Sequence, residues 1–216
     1  MKGKLNRFRY VLAAAAILST LLFAGCTSEI ELELNKNGSV DVKFNGIAGN
    51  AFVALINAGL GTDASDKVIF NTKDIEYEMA GNGFSNTKAV SNNGTDLSVT
   101  MTDKNGKSAL FTSGIVSAKD GKLSATLSPQ SLKKFYDSAD SQTVMFLDML
   151  LSPVFNDEIM TQEEYLEVLA SFYGDEIADE IKDSSFRITL KNADGTKTVQ
   201  TINFAKLLTL NEVIRF

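Results

Sequence analysis

Histidine is absent from this chain of 216 residues, cysteine occurs once, and proline occurs only at Pro129 and Pro153. Without histidine the chain lacks the usual general base at neutral pH and the commonest ligand of zinc and copper. A single cysteine excludes an internal disulfide. No run of basic residues and no interleaving of basic with aromatic residues is present. With a formal charge of −6 the protein repels polyanions, which argues against nucleic acid as a partner. Also missing are a G-x-S-x-G elbow, a glycine loop for phosphates and a recognisable glycosidase acid pair. These gaps leave a hydrolase built on acidic residues as an alternative, and they imply no cofactor and no metal.

The lone cysteine stands at a sharp change of pattern. Ahead of it come Lys2, Lys4, Arg7 and Arg9 with no acid, then fifteen small or apolar residues from Val11 to Gly25. A basic start, an apolar core of this length and small residues at its end make a secretory signal. As a permanent span it is short, since ~30 Å of hydrocarbon needs about 20 helical residues. The stretch "FAGC" resembles the lipobox of bacterial lipoproteins, with Ala24 and Gly25 in place and Phe23 where leucine is usual. That resemblance implies cleavage after Gly25, a diacylglyceryl group on the Cys26 thiol and often an acyl chain on the new amine. Each buried methylene contributes about 0.8 kcal/mol, so two or three chains hold firmly where one holds reversibly. The organisation expected is a signal peptide at 1–25 and one globular domain at 26–216, held at the membrane through Cys26. Removing the leader takes four of the 21 basic residues and no acid, leaving 17 against 27, a charge of −10. Thr27 follows the cysteine; an aspartate there is the usual inner-membrane retention signal, so the expected place is the cell membrane or, in a double-membraned cell, the outer membrane.

From Glu29 to Leu34 the residues alternate strictly, and "VDVKF" (40–44) repeats the alternation. Asn37-Gly38 between them is a favoured pair for a tight hairpin turn with positive φ. Asn-Gly or Asp-Gly recurs at 93–94, 105–106, 120–121 and 194–195. Around these turns strands are predicted at "KVIF" (67–70), "DIEYEM" (74–79), "DLSVTM" (96–101), "SALFTSGIV" (108–116), "KLSATL" (122–127), "SFRITL" (185–190) and "TVQTI" (198–202). Helices are predicted from an Asn50 cap to Gly61, from Ser128-Pro129 through "QSLKKFYDSA", and in "SQTVMFLDMLLSPVF" (141–155) until Pro153. Two more follow, "TQEEYLEVLASFYG" behind a Thr161/Glu164 capping box and "DEIADEIKD" (175–183). Strands on both sides of a helical middle indicate an α+β fold, an antiparallel β-sheet with helices packed on one face.

Three stretches invite a functional reading. "ELNKNGSVDVKF" (33–44) has Asn35, Asn37, Gly38 and Asp41 near calcium-loop offsets, but Phe44 occupies the position that needs a bidentate carboxylate, and the alternation demands a hairpin. "YGDEIADEI" sets Asp175 with Asp179 and Glu176 with Glu180, one helical turn apart. A solvated face accounts for them, with Ile177 and Ile181 marking the buried side; a divalent cation or an acid/base pair is the alternative. "VMFLDMLLSPVF" has more apolar residues than one helix stripe needs, and Met145, Phe146, Met149, Leu150 and Phe155 are the candidate lining of a site for a hydrophobic ligand, against the plainer reading of core.

The segment "CTSEIELELNKNGSVDVKF" looks like a recurrent class of bacterial lipoproteins, the LppM-like group among them. In these an acylated cysteine leads straight into a hairpin of the form x-L-x-L-N-x-x-G-x-V and then a buried helix. The resemblance implies an α+β envelope domain that handles lipids or lipoglycans, and it carries over no site residue. The function expected is a non-catalytic binding role in the cell envelope, toward an amphipathic ligand or an envelope protein. A purely structural or antigenic surface lipoprotein is the alternative.

Overall fold

The computed structural model describes residues 27–60, 70–137 and 159–216. Residues 1–26 with Cys26, residues 67–69 of one expected strand and the whole helix expected between 141 and Pro153 lie outside the described residues. In chain order the elements are β1 (Thr27–Leu34), β2 (Val40–Ile47), α1 (Asn50–Leu60), α2 (Thr72–Gly81), β3 (Ser85–Val90), β4 (Asp96–Asp103), α3 (Ala109–Thr112), β5 (Val116–Lys119) and β6 (Lys122–Leu127). Then follow α4 (Pro129–Asp137), α5 (Gln162–Tyr173), α6 (Asp175–Asp183), β7 (Ser185–Lys191), β8 (Lys197–Asn203), α7 (Phe204–Leu208) and β9 (Ile214–Arg215).

Six strands form the main sheet in the order β3-β4-β2-β1-β7-β8, and β5-β6-β9 form a small second sheet. All main-sheet pairs are antiparallel except β1–β7, which is parallel. The fold is α+β. One face of the sheet is apolar: Ile30, Leu32 and Leu34 of β1, Val40, Val42 and Phe44 of β2, Leu97, Val99 and Met101 of β4, and Phe186, Ile188 and Leu190 of β7 are all buried. They share a continuous core with Ile75 and Met79 of α2, Tyr165 and Leu169 of α5, Ile177 and Ile181 of α6, and Phe204, Leu207 and Leu208 of α7. The other face carries the polar half of each alternation. A one-residue slip of β1 would drive Glu29, Glu31 and Glu33 inward and three aliphatics outward, so the pattern itself pins the register.

The turns show why the glycines stand where they do. Between β1 and β2, Gly38 N–H donates to the Asn35 carbonyl at 2.9 Å and Asn35 N–H to the Ser39 carbonyl at 2.8 Å. Gly38 alone is left-handed, at φ +85°. This is a three-residue loop with a glycine bulge, one residue longer than the two-residue turns that need two positive φ angles. Asn192 to Thr196 repeats it with Gly195 in the same role. The two-residue form occurs at Asp120-Gly121, with φ of +52° and +76°. This β5–β6 tip is tied to the β7–β8 turn: Leu123 N–H donates to Asn192 Oδ1 at 2.8 Å, and Ala193 N–H to the Gly121 carbonyl at 3.1 Å.

The expected helix starts are present. Ser128 Oγ accepts from Ser131 N–H at 3.0 Å ahead of Pro129, and Thr161 with Glu164 closes a full capping box at the head of α5.

Two expected strands are corrected. "DIEYEM" lies in helix α2, because Ile75 and Met79 are also four apart and form a buried helical stripe, while Tyr77 between them is 79% exposed. The Asn71 side chain caps it, accepting from Lys73 N–H at 3.2 Å. "SALFTSGIV" forms the single turn α3, and only its last residue, Val116, is in a strand. Here Asp103 reorganises the chain: its carboxylate accepts from the N–H groups of Asn105, Gly106, Lys107 and Ser108 and folds residues 104–108 around itself.

Candidate functional site

The open face of the main sheet sets out functional groups in an ordered array across six strands. Strand register sets its side chains in rows. One row runs Val90, Ser98, Asn45, Glu29, Arg187, Thr201; the next Lys88, Thr100, Lys43, Glu31, Thr189, Val199; the third Ser85, Thr102, Asp41, Glu33, Lys191, Lys197. Hydrogen bonds run along the rows, from strand to strand: Asn45 Nδ2 donates to Glu29 Oε1 at 2.9 Å and Ser98 Oγ to Asn45 Oδ1 at 2.8 Å. In the third row Thr102 Oγ1 donates to Asp41 Oδ1 at 2.8 Å, and Lys191 pairs with Glu33. Acids hold the centre on β1, and Arg187, Lys191 and Lys197 make the β7–β8 side basic. Short hydroxyl side chains and paired charges on a rigid sheet present hydrogen-bond donors and acceptors at fixed spacing. That chemistry suits recognition of a polar surface.

Carboxylates with shifted acidity serve the backbone. Hydrogen bonds from Asn93 hold Asp96 below the ordinary carboxylate range, as those from Thr161 do for Glu164 and those from Thr196 for Asp194. Burial pushes Asp103 up, but the hydrogen bonds from Ser108, Asn105 and Lys107 outweigh it and leave the carboxyl below its usual value. Asp74 moves the other way, raised by burial, and its Oδ2 has no hydrogen-bond partner. Burial, then the charge of Tyr173, pushes the Tyr165 phenol up, so it stays protonated.

On α6, Asp175, Glu176 and Asp179 are exposed, whereas Glu180 turns away from them. Its two oxygens accept from Ala51 N–H at 2.8 Å and Phe52 N–H at 3.0 Å, capping α1 from the far half of the chain. The expected cap, Asn50, is instead the first residue of α1, and Gly49 stands before it, its carbonyl accepting from Val53 N–H. Among the described residues no three histidines, cysteines or acids gather as metal ligands. Residues 35–41 are closed on themselves: Asn37 Oδ1 accepts from Ser39 N–H, and Asn35 Nδ2 donates to Asp41 Oδ2 at 2.9 Å. Among the described residues no helix is long and apolar enough to cross a membrane.

No family model, curated protein or solved structure matches this chain. The site therefore rests on its own geometry. Cys26, Met145, Phe146, Met149, Leu150 and Phe155 lie outside the described residues. The strict alternation from Glu29 to Leu34 predicts the strand but gives its polar face no role, and the basic β7–β8 side was missed. The signal was there in "SFRITLK", where Arg187, Thr189 and Lys191 alternate with buried residues.

Proposed function

We propose that the chain is a lipid-anchored lipoprotein of the cell envelope with a non-catalytic binding role, and that the open sheet face is the surface it presents. The observation that carries this reading is the start of β1 at Thr27, the residue next to Cys26. An acylated Cys26 would join the central strand of the sheet with no tether, so anchor and binding surface would form one rigid piece. Support also comes from the basic leader and the apolar run ending in "FAGC". The acidic domain gains nothing from anionic head groups, which leaves the acyl chains as its hold on the bilayer. The site expected at Met145, Phe146, Met149, Leu150 and Phe155 is retained as a proposed contact for a hydrophobic ligand.

Intact mass measurement of the native product tests this directly. The expected species has lost residues 1–25 and carries a diacylated or triacylated Cys26, and it enters the detergent phase of a detergent–water split. A Cys26→Ser variant is expected in the aqueous phase. A mature chain with an unmodified thiol overturns the proposal.

A further inference from the structure

The two edges of the main sheet are built differently. Edge strand β3 is disrupted: its register shifts between Ser85 and Lys88, Asn86 has a φ of +55°, and Ala89 N–H is taken by Glu76 Oε1 at 2.9 Å. These are the usual means of keeping an edge from pairing with another chain. Edge strand β8 has none of them. It pairs with β7 in unbroken register over seven residues, contains no proline or glycine, and is exposed from Lys197 to Thr201.

Which of its backbone groups are free follows from the hydrogen bonds at its two ends. Asn192 N–H donates to the Thr196 carbonyl and Phe204 N–H to the Ser184 carbonyl. Bonded pairs alternate along an antiparallel ladder, so the even-numbered residues of β8 bond to β7. The N–H and C=O of Lys197, Val199 and Thr201 therefore point outward, along about two residue repeats of ~6.8 Å each. The side chains of these three residues lie on the open face, beside Lys191, Thr189 and Arg187 respectively. Of the acids nearest this edge, Glu33 is taken by Lys191, Asp194 in the turn by Thr196 and Glu29, in the row of Arg187, by Asn45, while Glu31 stands in the row of Thr189.

We propose that the outer edge of β8 is a docking site for an extended acidic segment of another protein, which adds to the sheet beside β8. Main-chain bonds to Lys197, Val199 and Thr201 supply affinity, and acidic side chains lying over Lys197 and toward Arg187 supply specificity. A second copy of this chain is the poorer occupant. Pairing about Val199 sets Lys197 beside the other copy's Thr201, in the row that holds that copy's Arg187, and so gathers like charges. The inference stands on the sheet alone and does not depend on a lipid at Cys26.

The test uses the domain and two synthetic peptides, one alternating threonine with glutamate and one alternating threonine with lysine, followed by fluorescence anisotropy at low salt. The glutamate peptide is expected to bind at least tenfold more tightly and to slow amide exchange at Lys197, Val199 and Thr201. Lys197→Glu is expected to weaken the glutamate peptide and favour the lysine one. Val199→Pro removes only an outward N–H, which an edge strand tolerates, and is expected to abolish binding. Equal binding of both peptides, no binding, or amide protection that rises with protein concentration alone overturns the proposal, the last result assigning the edge to a second copy.

Discussion

Asp103→Asn is expected to destabilise the domain by about 3 kcal/mol at neutral pH, a large share of the 5–15 kcal/mol available to a typical domain. The aspartate is 1% exposed and accepts from four backbone N–H groups at 2.7 to 3.3 Å. Oδ1 serves three of them and Oδ2 serves Ser108. An asparagine keeps one oxygen, and its NH2 group then meets a donor on the other side. A buried N–H left without an acceptor costs more than the net gain of making its bond. The loop lies at the surface, where nearby water screens the charge, so the lower part of the range for buried charged groups applies. Urea unfolding of both proteins at neutral pH measures the loss.

The same variant carries a pH signature. Asp103 in the folded chain ionises below its ordinary 3.8. Its contribution is therefore fully present above that value and lost as pH falls through the folded one, where the unfolded chain binds the extra proton. Asp96, Asp194 and Glu164 are lowered too, so the wild-type protein loses stability in acid through all four. Asp103→Asn removes one of them, and the gap between variant and wild type is expected to narrow below about pH 4. A gap that stays constant with pH would mean that shape alone, and not charge, holds residues 104–108.

Legibility in the sequence followed the range of the forces involved. The β1–β2 and β7–β8 hairpins and the β5–β6 turn were readable, because alternation and Asn-Gly or Asp-Gly act over a few residues. The starts at Ser128 and Thr161 were readable for the same reason. "DIEYEM" was ambiguous on its face, since residues two apart on a strand and four apart on a helix coincide at Ile75 and Met79. Tertiary neighbours decided for the helix. Strand β3, "SNTKAV", has almost no apolar signal and exists because β4 offers it a ladder. Helix α7, "FAKLL", is too short for a periodic pattern and is held by burial of Phe204, Leu207 and Leu208. That Arg187 and Lys191 stand beside the acids of β1 needed the parallel β1–β7 pairing, which joins residues more than 150 positions apart and leaves no local trace.

Glu180→Ala and Gly49→Ala are each expected to destabilise the protein by about 2 kcal/mol, and together by little more than either alone. Glu180 sits in the last turn of α6, where its own helix dipole disfavours an acid. It is retained there because the N-terminus of α1 lies opposite, with two N–H groups bonded to its two oxygens. Gly49 makes the approach feasible. Its φ is not left-handed, so conformational freedom is not the reason; a Cβ at this position would overlap the Glu180 carboxylate. An alanine there expels the carboxylate and breaks the same two bonds that Glu180→Ala deletes. Shared bonds cannot be lost twice, so the double variant is expected to show a coupling of about 1.5 kcal/mol or more. Glu180→Gln keeps one acceptor and is expected to lose roughly half as much as the alanine variant. Additive losses would mean that Gly49→Ala strains the β2–α1 connection by itself while the carboxylate stays in place. The contact spans 129 positions in sequence and, with the parallel β1–β7 pair, joins the N-terminal hairpin to the C-terminal half of the domain. Loosening it is therefore expected to raise amide exchange in α1 and α6 together, before β2 or β4 responds.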